Sequence, residues 1–181
     1  MSNQKNREPG ILDTQQDMEP QAHGEPLLEQ MESIGTTEPL GQPCDVSIIH
    51  KEEVASVWEE VYPILDRCHA YANGELETQD YFKMVENGDM QLWVATDEGV
   101  IFAAMLTEFV VYPRKKVMRI VAIAGEGMDR WMRFFPALEA AAVRVGCTGI
   151  EAFGRKGWLK VLKDWKCSYH VLTKDIKHRL Q

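Results

Sequence analysis

The segment best suited to ligand binding is a turn with two glycines, Gly125 and Gly127. The turn lies between an apolar segment and a segment with helical spacing. The run at 117–124 is rich in β-branched residues and predicts a strand covered on both faces. Neither glycine carries a Cβ, so the backbone between them can turn tightly. A strand, a glycine turn and a helix N-terminus in this order are typical of a phosphate cradle. The pattern therefore indicates a site for a phosphorylated ligand.

The side chains of this turn oppose an anion. Glu126 and Asp129 place carboxylates where a phosphate would lie. Near a protein surface each such like-charge contact costs on the order of 1–4 kcal/mol. The helix dipole stabilises a bound phosphate by at most about 2 kcal/mol. Arg130 and Arg133 offset the remaining repulsion only if their side chains face the turn. The balance favours weak phosphate binding.

The elements before the turn predict an antiparallel start to a sheet. A strand at 46–49 precedes a helix at 53–72, in which Pro63 predicts a kink or a division. A second helix begins at Thr78, whose hydroxyl is suited to capping. Two strands, at 90–96 and 100–112, are joined by the hairpin signal Asp97-Glu98-Gly99.

The elements after the turn predict parallel pairing. They are a helix over 128–145, a strand at 149–153, a short helix after Gly157 and a last strand over 169–173. The complete order is β-α-α-β-β-β-α-β-α-β. This order predicts an α/β (α+β) fold built on a mixed central sheet, antiparallel at first and parallel between the later strands.

Residues 1–43 differ from the rest of the chain. They contain no aromatic residue, five of the eight prolines, and eight acidic residues against two basic ones. Such a segment buries too little apolar surface to offset the entropy of ordering, so we predict a disordered acidic tail on one domain at 44–181. Within the tail, residues 25–35 place Leu27, Leu28, Met31 and Ile34 on one helical face. Two interpretations stay open: a transient helical turn, or a segment that docks in a partner's groove.

Composition excludes several classes of function. The net charge of −8 argues against duplex nucleic acid as the main partner, because phosphate contacts need a basic face. No apolar run approaches the roughly 20 residues that span a bilayer, and no secretory signal is present, so we expect a cytoplasmic protein. The four cysteines show no CxxC pairing and the histidines no shared spacing, so we expect no metal site.

Over residues 45–176 the order, lengths and turns of the elements resemble the GNAT superfamily, the acyl-CoA-dependent N-acetyltransferases. In that family the fourth strand and the following helix hold CoA, and the fourth and fifth strands splay apart to admit its pantetheine arm. The resemblance implies a GNAT-like sheet and acetyl-CoA as a cofactor. The cofactor-binding positions that it implies are Ile123, Ala124, Gly125, Gly127, Met128 and Arg130.

The catalytic positions of the family are poorly matched. The family's general acid is a tyrosine in the last helix, but residues 158–165 contain none. Tyr169 lies beyond that helix, on the predicted last strand. Glu108, on the third strand, is the one carboxylate in a central position for a general base. Glu108 and Tyr169 are therefore the catalytic candidates, and the basic or amide residue expected before Gly125 is absent.

A second resemblance concerns the segment 154–165, which with its flanking strands is similar to GNAT-like proteins of tailed bacteriophages. These include internal virion proteins with eroded acetyltransferase motifs. The resemblance implies a phage-encoded protein, acting in the host cytoplasm or the virion, with a role in particle assembly or ejection and phage structural proteins as partners. Two alternatives stay open: an active acetyl-CoA-dependent N-acetyltransferase acting on an amine, and a nucleotide- or CoA-binding regulatory module.

Overall fold

The computed structural model describes residues 45–72, 74–168 and 171–174. The elements, in chain order, are β1 (Asp45–Ile49), α1 (Val54–His69), α2 (Thr78–Glu86), β2 (Gln91–Asp97), β3 (Val100–Tyr112), β4 (Lys115–Gly125), α3 (Met128–Trp131), α4 (Phe134–Arg144), β5 (Gly149–Ala152) and a 3-10 helix at Lys156–Lys160. The predicted order of elements is confirmed as far as β5. The predicted tail, including residues 25–35, lies outside the described residues.

The five strands form one sheet in the order β1-β2-β3-β4-β5. The first four strands pair antiparallel, and β4 pairs with β5 in parallel. The predicted mixed sheet is therefore confirmed. The carboxyl ends of β4 and β5 lie at the same edge of the sheet, and the glycine turn after β4 lies there too.

Helices cover both faces of the sheet, because side chains alternate along each strand. On one face α1 and α2 pack against a buried cluster that includes Leu92, Val94, Ala104, Leu106 and Ala122. On the other face α3 and α4 pack against a cluster that includes Trp93, Ala103, Met105, Met118 and Ile120. The strand at 117–124, predicted to be covered on both faces, contributes to both clusters.

The hairpin between β2 and β3 has the predicted turn. Asp97 pairs with Val100, which leaves Glu98 and Gly99 as a two-residue connection. Both residues have positive φ, 50° and 81°, as a hairpin turn that follows the strand twist requires. Glycine adopts this conformation without steric cost.

Two helix predictions need revision. Of the kink or division predicted at Pro63, the division is wrong, because α1 continues from Val54 to His69; the kink stays a prediction. Pro63 is exposed, so the carbonyl that it leaves without a donor is on the solvent side. The helix predicted over 128–145 is divided instead, into α3 and α4. Pro136 has no N–H to donate to Met132, so it is accommodated in the first turn of a new helix.

The last predicted strand is not part of the sheet where it is described. Residues 171–174 have no strand assignment, and Val171 and Leu172 are 65% and 94% exposed. Tyr169 lies outside the described residues. The residue types at 169–173 predicted a strand, but residue type alone does not specify a strand's hydrogen-bonding partner.

Gly125 is required by the packing of β4 against β3. A Cβ at this position would lie 2.4 Å from Ala103 Cβ and 2.8 Å from Ala103 Cα. Those atoms belong to a buried strand and cannot move without displacing the sheet. This contact explains one glycine of the turn without reference to a ligand.

We predict that Gly125→Ala lowers the free energy of unfolding by about 1–3 kcal/mol, the usual cost of overpacking a tight site. Gly149→Ala is the matched control, because the nearest atom to its Cβ is Val117 Cγ1 at 4.0 Å. That variant should be neutral or slightly more stable. Chemical denaturation measures both, and equal stabilities of the two variants would contradict the assignment.

Candidate functional site

The candidate site is a gap between β4 and β5. The two strands pair over only four residues, from Val117 opposite Gly149 to Ile120 opposite Ala152. β5 then ends, while β4 continues to Gly125. Among the described residues no strand pairs with 121–125 on that side. Backbone groups on this edge of β4 therefore have no strand partner in the described sheet.

A β-bulge lies where the gap begins. Thr107 of β3 is opposite Ile120 and Leu106 is opposite Ala122, so Val121 is the extra residue on β4. A buried hydrogen-bond chain fixes this position from the β3 side. Thr107 Oγ1 accepts from Trp93 Nε1 at 2.9 Å and donates to Gln91 Oε1 at 3.0 Å. Unpairing either partner would be costly, since all three side chains are almost fully buried.

In the turn after β4, a backbone N–H and an arginine side chain make contacts within the protein. The N–H of Glu126 donates to the carbonyl of Phe102 at 3.0 Å. Gly127 has φ 63°, and a Cβ there would lie 3.0 Å from Arg130 Cδ. The side chain of Arg130 thus covers the space beside Gly127. The helix after this turn, α3, has only four residues and a correspondingly small dipole.

The charges around the turn are paired with the protein's own groups. Arg130 Nη2 donates to Asp97 Oδ2, and its guanidinium lies 4.0 Å from the centre of the Phe102 ring. Glu126 Oε1 lies 3.4 Å from Arg67 Nη2. The implied cofactor residue Arg130 is therefore directed to Asp97. The groups of the turn do not fit a CoA pyrophosphate, since Arg130 is occupied and Glu126 is anionic.

The other implied cofactor residues are placed by packing. Ile123 packs with the cluster on the α4 face and Ala124 with the cluster on the α1 face. The Cys68 thiol lies 3.5 Å from the carbonyl oxygen of Ile123. Met128 is 45% exposed. The structure brings these residues together at one edge of the sheet, and the cofactor role assigned to them stays a prediction.

Glu108 belongs to an ion cluster across three strands. Arg119 Nη1 donates to Glu108 Oε1 at 2.9 Å, and Arg119 Nη2 donates to Glu151 Oε1 at 2.6 Å. Tyr112 also donates to Glu151, at 3.3 Å. Burial lowers the pKa of Arg119, but hydrogen bonds and charges of Glu151 and Glu108 outweigh it and raise the pKa overall. The cluster joins β5 to β4 and β3 beside the only pairing that β5 makes in the described sheet.

The sequence interpretation found Glu108 but missed Arg119 and Glu151. The signal was a single arginine inside the apolar run at 117–124, since a charged residue in a covered strand needs a partner. Its partner could not be identified without the strand register. As a general base Glu108 stays a prediction; its observed contact is the ion pair with Arg119. Tyr169 lies outside the described residues, and its catalytic role also stays a prediction.

The segment after β5 is anchored by two tryptophans. Trp158 packs on Trp131, with ring centres 5.6 Å apart, and Trp165 packs edge-on against Phe135 at 5.9 Å. Both tryptophans therefore pack against the core cluster on the α4 face. The predicted helix is a five-residue 3-10 helix at Lys156–Lys160. Lys160, Lys163 and Lys166 are exposed.

Other candidate sites are few in the part of the chain that the structure describes. No group of three or more His, Cys, Asp or Glu residues is arranged to hold a metal ion there. No helix within those residues has the length and apolarity to cross a membrane. A shallow cavity of about 300 Å³, lined by Lys51, Glu52, Val54, Ala55 and Glu86, lies at the opposite end of α1 from the gap.

No protein-family model matches the chain, and no curated protein matches it. Solved structures do. A ribosomal-protein-alanine N-acetyltransferase from Brucella melitensis biovar Abortus 2308 matches with a TM-score of 0.56 and 10% identity, over 74% of this chain and 99% of that chain. A GNAT family acetyltransferase from Staphylococcus aureus matches with a TM-score of 0.55 and 12% identity, over 75% and 100%.

A third match is the aminoglycoside N-acetyltransferase AAC(6')-Iy, whose structure is a complex with CoA. It has a TM-score of 0.56 and 12% identity, over 78% of this chain and 99% of that chain. Likeness at this level of identity shows the fold alone. The described domain therefore has the GNAT fold.

We predict that Arg119→Met destabilises the protein by about 1–3 kcal/mol, because two partly buried carboxylates would then face each other without their cation. Denaturation midpoints measure the loss, and amide exchange should show it first in β5. Arg114→Met, in the exposed turn between β3 and β4, is the control and should change stability little. Adding Glu151→Gln to Arg119→Met should recover part of the loss; no recovery would argue against the cluster.

A second prediction concerns the Cys68 thiol, whose pKa is raised by burial. Above about pH 8.5 the unfolded chain loses this proton while the folded chain keeps it, so the free energy of unfolding falls as pH rises. Cys68→Ala should reduce this fall between about pH 8 and pH 10. Part of it should remain, because burial also raises the pKa of Tyr81 and Cys147.

Denaturation at several pH values measures the effect. The control is Cys167→Ala, which removes an exposed thiol. If that variant flattens the pH dependence as much as Cys68→Ala does, burial of Cys68 is not the cause.

Proposed function

We propose that this chain is a GNAT-fold protein that has lost the usual use of acetyl-CoA and acts as a binding component. The observation that carries the proposal is the occupied turn after β4. Arg130, whose side chain lies beside Gly127, donates to Asp97, and the N–H of Glu126 donates to the carbonyl of Phe102. Glu126 adds a negative charge where a pyrophosphate would need a positive one. These contacts support the proposal that the turn has lost its role in cofactor binding.

The specific role that we propose is assembly or ejection of a tailed-phage particle. Its support is the resemblance of 154–165 to GNAT-like virion proteins, together with an acidic tail on a small domain. The partners would be phage structural proteins, contacted through residues 25–35 by a helix-in-groove mode. The protein would be made in the host cytoplasm and then taken into the particle.

One observation favours a second function, an active acetyl-CoA-dependent N-acetyltransferase acting on an amine. β4 continues past the end of β5, and the bulge at Val121 lies where the strands part. This separation is the geometric requirement for a pantetheine arm. The turn argues against this function, since its charges do not fit the cofactor's pyrophosphate. A regulatory module that binds CoA without chemistry meets the same objection.

We predict no binding of acetyl-CoA at about 1 mM, measured by calorimetry and by thermal shift of the full chain. A ligand bound with a Kd of about 10 µM would stabilise the fold by about 2.7 kcal/mol at this concentration, an easily measured shift. The double variant Glu126→Gln/Asp129→Asn should gain weak binding, because it removes both opposing charges. Glu59→Gln/Glu60→Gln removes two exposed charges of α1, away from the turn, and is the control.

Micromolar binding by the unaltered chain, or acetylation of an amine detected by mass spectrometry, would overturn the proposal and establish the second function. The phage role has its own test. Presence of the protein in purified particles supports it, and absence from both particles and assembly intermediates contradicts it. Deletion of residues 25–35 should release the partner in a pull-down, whereas a deletion of equal length at residues 2–12 should not.

A further inference from the structure

The end of α1 crosses the gap between β4 and β5. Arg67, in the last turn of α1, lies 3.4 Å from Glu126, one residue beyond β4. Tyr71, just after the helix, has its ring 3.8 Å from the guanidinium of Arg155, three residues beyond β5. Residues 67–71 therefore contact the segments that leave both strands, and they span the gap on the α1 face.

Cys68 is the residue of this crossing whose side chain approaches β4. Its thiol is 3.5 Å from the carbonyl oxygen of Ile123, in the half of β4 that β5 does not pair. Cys68 is half-buried, whereas Arg67 and Tyr71 are exposed. Displacement of residues 67–71 from β4 would expose the sulfur further and uncover the same edge of β4.

The contacts that hold the crossing are weak compared with those that hold the strands. Arg67–Glu126 is an exposed ion pair, a type that contributes little to stability. Tyr71–Arg155 is an exposed cation–π contact, which is also a small contribution. β5, by contrast, is held by backbone pairing and by the Arg119 cluster. Cys68 adds its contact with Ile123 and its packing against the cluster on the α1 face. Detachment of residues 67–71 breaks these contacts but none of the strand pairing, so the sheet can stay intact.

We propose that residues 67–71 are a latch over the β4–β5 gap, closed by Tyr71 on Arg155 and by Arg67 on Glu126. The latch opens locally, and its opening controls access to the unpaired edge of β4. This inference goes beyond the proposed function, because it concerns entry to the gap whether or not acetyl-CoA is the ligand. In each of the two closing contacts, the two residues are far apart in the sequence.

The test is the rate of alkylation of Cys68 by iodoacetamide in the folded full-length chain, resolved by site with mass spectrometry. Tyr71→Ala and Arg155→Ala should each raise the Cys68 rate about two- to fivefold, the effect of losing an exposed cation–π contact. The double variant should be no faster than either single one, because both substitutions remove the same contact. Arg67→Ala should also raise the rate, through the second contact.

Two controls separate a local opening from a general loss of stability. Cys147 is partly buried at the start of β5, at the other end of the sheet, and its rate should not change in any variant. Arg114→Ala removes an exposed arginine from the β3–β4 turn and should leave Cys68 unchanged. Unchanged Cys68 rates in the Tyr71 and Arg155 variants would overturn the proposal. Equal acceleration at Cys147 would overturn it too, because the opening would then be global.

Discussion

The unequal pairing of β4 with its two neighbours is the constraint on which the rest of this structure depends. β4 pairs with β3 along almost its whole length, from Lys115 to Gly125, but with β5 over four residues only. Buried backbone groups need partners, so β4 requires both neighbours where helices cover it. Where β5 ends, the edge of β4 has no strand partner, and Cys68 in the last turn of α1 contacts the carbonyl of Ile123. The short pairing between β4 and β5 therefore determines both the shape of the sheet edge and the position of the candidate site.

Charge is used differently at the two ends of β4. At the paired end, Arg119 joins Glu108 and Glu151 across three strands, which compensates the short β5 pairing with charge-assisted hydrogen bonds. At the open end, Arg67 and Arg130 are each directed to a carboxylate of the chain itself. Arg67 and Arg130 thus each form an ion pair within the domain, which has the GNAT fold.

Much of the fold could be predicted because local patterns specify it. Alternation and β-branched runs predicted β2, β3 and β4, and Asp97-Glu98-Gly99 predicted the hairpin between the first two of them. The errors concern features that local patterns do not specify. Pro136 could be accommodated either within one helix or at the start of a new one, and only the packing of Trp131 and Phe134 separates the two outcomes. The apolar residues at 171–173 fitted a strand, but no edge of the sheet receives their described part.

The sequence by itself determined the order of strands as far as β5, the mixed sheet and the presence of carboxylates in the glycine turn, because these depend on side-chain periodicity and residue type. Only the tertiary structure decided what those charges do. Arg119 and Glu151 are 32 residues apart, and so are neighbours only once β5 is in register with β4. The same holds for Tyr71 and Arg155, which meet because α1 crosses the end of the sheet. Contacts between distant segments depend on strand register and helix position. The residues that form such a contact do not by themselves specify either one.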